Sequence, residues 1–71
     1  MQQHPLPLHS PIELVSDKYE ARGVPRGTRG YILAVHGSDA YEVQFFDAEQ
    51  NPIDWFAIEQ SEARPIDPAS T

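Results

Sequence analysis

Apolar and polar residues alternate most regularly over residues 40–46, where Tyr41, Val43 and Phe45 are separated by polar side chains. Side chains of a β-strand point alternately to its two faces, so a period of two predicts a strand with these three residues in a core. A second strand is predicted over residues 31–36. The Gly-Ser-Asp sequence between the two favours a tight turn, which makes the pair an antiparallel hairpin.

Three further short runs with apolar character complete the predicted strands; they cover residues 12–15, 53–58 and 63–66. The segment 53–58 is apolar on both faces, so either Ile53, Trp55 and Ala57 or Phe56 and Ile58 face the core, and the pattern leaves this register open.

Turn and cap residues fill the intervals between the strands. Gly27 and Gly30 precede the second strand, where glycine permits a positive φ or a close backbone approach. The spacing of Asp17 and Glu20 predicts a reciprocal cap on one helical turn. Residues 60–62 are predicted to form a single 3₁₀ turn.

A chain of 71 residues has room for one domain. Residues 1–11 contain three prolines and are expected to form a flexible leader, residues 12–66 a folded unit, and residues 67–71 a flexible tail. Five short strands without a sustained helical period predict an all-β fold, a small five-stranded SH3-like barrel.

Three segments together resemble the short bacterial proteins of the domain-of-unknown-function 4926 family. They are GVPRGTRGYILAV at residues 23–35, AYEVQF at residues 40–45, and Arg64-Pro65. The resemblance implies an SH3-like barrel and a small accessory or partner-binding protein, of which antitoxins and immunity proteins are examples. The chain departs from the pattern in the turn Gln50-Asn51-Pro52, where the family usually carries a glycine, and at Trp55, which replaces a smaller apolar residue.

The charge is unevenly distributed along the chain. Five Lys and Arg residues oppose eleven Asp and Glu residues, giving a net charge of −6. Four of the five cations lie in residues 18–29, and the remainder of the chain is acidic. Such a surface disfavours nucleic acid, which is held by phosphate neutralisation, and favours a basic protein partner. No membrane-spanning run or signal peptide is recognisable, so we expect a cytoplasmic protein.

The residue types needed for catalysis or metal binding are scarce. The chain has no cysteine, and its histidines are His4 and His9 in the leader and His36 at a strand end. Two histidines five residues apart in a flexible segment make a poor metal site. Residues 47–51 begin like a calcium loop, but its sixth position is Pro52 instead of the required glycine. We therefore predict a non-enzymatic protein without a metal or cofactor.

Adjacent aromatic residues predict an exposed contact surface. Because neighbours in a strand point to opposite faces, Phe46 should lie outside the core, and either Trp55 or Phe56 should join it. An exposed ring bordered by carboxylates would be a mixed binding hot spot. The predicted partner-binding residues are Phe46, Asp47, Glu49, Asp54, Trp55, Phe56 and Glu59. A homodimer through this patch, or its coverage by the leader or tail, is an alternative.

The basic loop offers a second candidate site. Arg22, Arg26 and Arg29 could form an anion clamp, because a guanidinium matches phosphate and carboxylate geometry. The alternative is that these arginines pair with nearby acids such as Asp17, Glu20 and Glu42.

The sequence thus favours a protein-binding module, with an acidic inhibitor of a basic partner as the leading hypothesis. An accessory or regulatory subunit of a larger enzyme would use the same surface permanently. Weak nucleic-acid or anion binding through the arginines is the third hypothesis.

Overall fold

The computed structural model describes residues 6–66, which form five antiparallel strands in one sheet. The strands are β1 (Pro11–Leu14), β2 (Arg29–His36), β3 (Ala40–Phe46), β4 (Pro52–Glu59) and β5 (Ala63–Pro65). Two 3₁₀ turns, Glu20–Arg22 and Gln60–Glu62, interrupt the loops. The predicted all-β class is confirmed. No helix within residues 6–66 is long and apolar enough to cross a membrane.

The sheet is strongly curled, as its connectivity requires. Its strand order is β4-β3-β2-β1-β5, so β4 and β5 are the two edge strands. A flat five-stranded sheet would separate its edges by about 19 Å, at about 4.8 Å for each strand spacing. Yet only the three residues of the second 3₁₀ turn join β4 to β5, and such a turn rises about 2 Å per residue. The edges must therefore approach each other at this end.

The core lies on the concave face of this sheet. The fully or almost fully buried apolar residues come from four strands and the β1–β2 loop; they are Ile12, Leu14, Val24, Ile32, Tyr41, Val43, Phe45 and Ile58. The predicted inward face of β3 is confirmed. Burying these side chains supplies the main stabilisation of so small a domain.

Pairing with β3 fixes the register of β4 that the sequence left open. Phe56 lies opposite Val43 and Ile58 opposite Tyr41, so Phe56 and Ile58 take the inner face and Trp55 the outer one. A register shift after Phe45 then allows Ile53 to pack against the core as well.

Gly27, which precedes β2, and Gly30, the second residue of β2, serve the two purposes predicted for glycine at this point. Gly27 has a φ of +93°, a backbone angle that residues with a side chain rarely adopt. Gly30 is buried against β3, where an added Cβ would lie 2.5 Å from the Gln44 carbonyl oxygen. Gly30 therefore permits the close approach of β2 to β3.

The structure corrects the predicted cap near Asp17. Glu20 begins the first 3₁₀ turn, but no side chain caps the turn, and Asp17 instead accepts hydrogen bonds from Arg26. A capping box does form at the second 3₁₀ turn, between Glu59 and Glu62. The predicted 3₁₀ turn over residues 60–62 is confirmed.

Part of the predicted flexible leader packs on the sheet. His9 donates a backbone hydrogen bond to the Ile32 carbonyl at 2.7 Å, and Ser10 accepts one from Ile32. Leu6 packs against the core, and its N–H donates to the Tyr41 hydroxyl. The leader contacts β2 because its backbone groups form hydrogen bonds with backbone groups of β2 that lie just beyond the β1–β2 pairing. Residues 1–5 of the leader and the predicted tail, residues 67–71, lie outside the described residues.

Candidate functional site

The convex face of β2, β3 and β4 carries the exposed aromatic residues of the sheet. In register, Gln44 lies between Tyr31 on β2 and Trp55 on β4, and Phe46 lies beside Arg29 in the next row. Residues two apart on neighbouring strands share a face, so these side chains form one surface. We call Tyr31, Phe46 and Trp55 the outer aromatic face.

Trp55 is the most exposed large apolar residue of residues 6–66, with 58% of its surface accessible. Its indole Nε1–H donates to Glu42 Oε2 on β3. The other carboxylate oxygen of Glu42 lies 2.8 Å from His36 Nε2. Hydrogen bonds from His36 and Trp55 lower the pKa of Glu42, so this carboxylate is ionised at neutral pH. The indole is thereby held beside a negative charge while more than half of the Trp55 surface stays accessible to solvent.

Tyr31 and Phe46 form the other half of the face. Their rings meet edge to face with centroids 5.6 Å apart, an arrangement that aromatic quadrupoles favour. Tyr31 is exposed and Phe46 is half-buried. Leu33 lies where the pairing of β2 with β3 shifts register, and it adds another exposed apolar side chain to the strand that carries Tyr31.

An open groove of about 930 Å³ begins at Tyr31 and Phe46 and runs between the β1–β2 loop and the β3–β4 turn. Its lining includes Arg26, Arg29 and Ile53. The groove therefore joins part of the predicted partner surface to two of the three arginines proposed as an anion clamp.

The inner side of β4 holds a different arrangement of aromatic residues and charge. Phe56 packs between Tyr19 and Phe45, with ring centroids at 4.8 Å and 5.1 Å. The Arg22 guanidinium lies over the Phe56 ring at 4.0 Å and reaches Asp54 Oδ2 at 3.0 Å. This side of the strand is thus covered by the chain itself.

Three of the four carboxylates predicted to border the exposed ring make contacts within the chain; they are Asp47, Asp54 and Glu59. Asp47 accepts hydrogen bonds from the backbone N–H groups of Asn51 and Glu49, and the first of these lowers the pKa of Asp47. Asp54 pairs with Arg22, and Glu59 caps the second 3₁₀ turn. The acid beside Trp55 is Glu42, which the sequence suggested as a partner for arginine.

The three arginines also separate. Arg22 binds Asp54, and Arg26 binds Asp17 through two hydrogen bonds of 3.1 Å and 3.2 Å. Arg29 makes no ion pair with any residue of the described segment 6–66, although Glu13 lies opposite it in the sheet. Arg26 thus pairs with one of the acids that the alternative named, whereas Arg22 pairs with Asp54, which it did not name. Of the three arginines, Arg29 is the one left to bind an external anion.

A buried polar cluster around Glu62 was not predicted. Glu62 is only 7% exposed and accepts hydrogen bonds from the Tyr19 hydroxyl and the Glu59 backbone. Burial alone would raise the pKa of Glu62, but these bonds, with Ser16 and Lys18, lower it. Burial and the adjacent Glu62 charge raise the pKa of Tyr19 to about 12. A spacing of three residues from Glu59 to Glu62 was the available signal.

No group of three or more potential metal ligands occurs within residues 6–66. Comparisons with protein-family models, curated proteins and solved structures find no match for this chain.

Proposed function

We propose that this chain is a non-enzymatic protein-binding module whose contact surface is the outer aromatic face. The observation that carries the proposal is Trp55, which leaves 58% of its surface accessible on a face shared with Tyr31 and Phe46. Large aromatic residues are the commonest anchors of protein interfaces, because they bury much apolar area with few rotatable bonds. Clusters of this kind on a small domain mark interaction surfaces.

The net charge of −6 supports a basic partner. Opposite potentials accelerate and orient encounter between proteins. Several acids already make ion pairs or hydrogen bonds within the chain. The net charge therefore acts on a partner mainly through the long-range electrostatic field. Direct contact with the partner is made by the aromatic residues and Glu42. An inhibitor of a basic protein, as in antitoxin or immunity systems, has this combination of properties. A permanent accessory subunit of an enzyme would use the same face.

The first test is affinity capture by the tagged chain from a lysate of the source organism, followed by mass spectrometry and titration of the purified partner. We expect Trp55→Ala to weaken binding at least tenfold, about 1.4 kcal/mol in binding free energy. Leu8→Ala is the matched control, because Leu8 is a large apolar residue of similar exposure, 54%, that is not one of the three residues of this face.

Equal binding by the wild type and Trp55→Ala would reject the outer aromatic face as the contact surface. A partner that copurifies in fixed proportion under all growth conditions would favour the accessory-subunit hypothesis. A partner that copurifies only under some growth conditions, or in variable proportion, would favour the inhibitor hypothesis.

The groove supports a second candidate, binding of a small anion. Arg29 borders it without an ion pair among residues 6–66, and a free guanidinium suits a carboxylate or phosphate. Calorimetric titration with inorganic phosphate and with acetate, compared between the wild type and Arg29→Gln, tests this. A salt-sensitive affinity that Arg29→Gln abolishes would support it, and identical curves would reject it.

A further inference from the structure

Strand β4 carries an aromatic ring beside a carboxylate on each of its two sides. On the inner side Phe56 is accompanied by Asp54 from the same strand. On the outer side Trp55 is accompanied by Glu42 from β3, which accepts the indole hydrogen bond. The two sides therefore offer the same pair of chemical groups in different settings.

A cation already occupies the inner pair. The Arg22 guanidinium lies 4.0 Å from the Phe56 centroid, and its Nε and Nη2 atoms lie 3.1 Å and 3.0 Å from Asp54 Oδ2. A guanidinium can stack its flat face on a ring while its edge donates to a carboxylate, so one arginine satisfies both groups. The inner pair shows that this fold accommodates such a contact.

The outer pair has no such occupant among residues 6–66, whose cation–ring contacts involve Tyr19 and Phe56 only. Tryptophan attracts cations more strongly than phenylalanine does. The Glu42 side chain is 25% exposed, so a partner can reach it. Its two oxygens receive Trp55 and His36, but an ionised carboxylate can accept about four hydrogen bonds.

We propose that Trp55 and Glu42 form a recognition site for an arginine side chain of the partner protein. The guanidinium stacks on the exposed indole and donates to Glu42, as Arg22 does with Phe56 and Asp54. This inference rests on the proposed function and names the chemistry of the partner at the same face. The negative field of the chain concentrates a basic segment near the site.

Trp55 is the only tryptophan of the chain, so its fluorescence reports directly on occupancy. The probe is a short, capped peptide of alternating glycine and arginine. The matched control peptide replaces arginine with citrulline, which has nearly the same shape without the charge. We expect a saturable change in fluorescence with the arginine peptide and at least tenfold weaker binding of the citrulline peptide, with loss of the difference at high salt.

Variants separate the charge from the shape of the site. Glu42→Gln retains an oxygen for the indole N–H but removes the charge, and we expect it to weaken the arginine peptide about tenfold. Glu20→Gln removes one negative charge from the first 3₁₀ turn, outside the proposed site, so the affinity should stay within twofold of the wild type. Amide chemical shifts of both variants check that the fold is retained.

Equal binding of the two peptides, or equal binding by the wild type and Glu42→Gln, would overturn the arginine site. These outcomes differ from failure of the proposed function. If the captured partner is lost by Trp55→Ala and kept by Glu42→Gln, the outer aromatic face binds protein through apolar contacts alone. If both variants keep the partner, both proposals fail. Binding of a single-stranded oligonucleotide in place of the peptide would indicate base stacking and also overturn the arginine site.

Discussion

Glu62 and Glu42 are two carboxylates with different roles: Glu62 stabilises the fold from a buried position, whereas Glu42 positions an exposed side chain. Glu62 is buried, and its oxygens accept hydrogen bonds from Tyr19 and the Glu59 backbone while Lys18 lies at 3.2 Å. Glu42 lies on an open face, where it holds the indole of Trp55, whose surface stays exposed. The first group ties the β1–β2 loop to the second 3₁₀ turn. The second arranges side chains that stabilise little within the chain, which is the expected character of a contact surface.

The largest expected effect is the difference in the free energy of unfolding between Glu62→Ala and Glu42→Ala. Glu62→Ala leaves the Tyr19 hydroxyl and the Glu59 N–H without their acceptor, so we expect a loss of about 3 kcal/mol in the free energy of unfolding. Glu42→Ala should leave the stability close to that of the wild type, because its partners remain hydrated. Urea denaturation followed by circular dichroism measures both. Similar losses would mean that the outer face is structural as well.

Adjacent aromatic residues on β4 sharpen the same contrast. Phe56→Ala removes packing against Tyr19 and Phe45 and should cost about 2 kcal/mol, less than for a fully buried phenylalanine because Phe56 is only partly buried. Trp55→Ala should change stability by about 0.5 kcal/mol or less. Thermal unfolding of both variants provides the measurement. A larger loss for Trp55→Ala would contradict the inner and outer assignment of β4.

The Glu62 cluster should also make stability depend on pH in a specific way. The pKa of Tyr19 is raised from 10.0 to about 12 in the folded state, so its contribution is full below pH 10 and is lost as the pH rises toward 12. The lowered pKa of Glu62 contributes above its usual value of 4.5 and is lost as the pH falls through its folded pKa.

Urea denaturation at stepped pH tests this, with Tyr19→Phe as the comparison. The variant should show a shallower alkaline decline, and the decline that remains comes from Lys18, whose pKa Glu62 also raises. An alkaline limb of unchanged slope in Tyr19→Phe would show that Tyr19 does not carry the effect.

The smallest expected effects concern the two paired arginines. Arg22→Ala loses both the ring contact and the ion pair with Asp54, which should cost about 0.5 kcal/mol at this half-exposed site. Arg26→Ala loses an exposed pair only, and its effect on the urea midpoint should be smaller than that of Arg22→Ala. The reverse order would mean that stacking on Phe56 adds nothing to the fold.

Much of the fold could be predicted from local patterns. Alternation over residues 40–46 identified the inner face of β3. Gly27 and Gly30 indicated a positive φ and a close backbone approach near the start of β2. The second 3₁₀ turn was also placed correctly. Each of these depends on neighbours in the chain, where side-chain parity and backbone sterics act directly.

The candidate site was only partly predictable. The sequence indicated that one ring of the Trp55-Phe56 pair lies outside, but both faces of β4 are apolar, so the choice needed the pairing with β3. The acids nearest in sequence to Trp55 were expected around it, whereas cross-strand pairing brings Glu42 there instead. Contacts between residues far apart in the chain leave little local signal.

The sequence by itself determined the all-β class, the inner face of β3 and the excess of negative charge, because composition and period-two alternation are local properties of the chain. The tertiary structure alone decided that Trp55 lies outside beside Glu42, that Arg22 covers Phe56, and that Glu62 is buried. These depend on strand register and on the curl of the sheet, and a shift of one residue in register would exchange the two faces of β4.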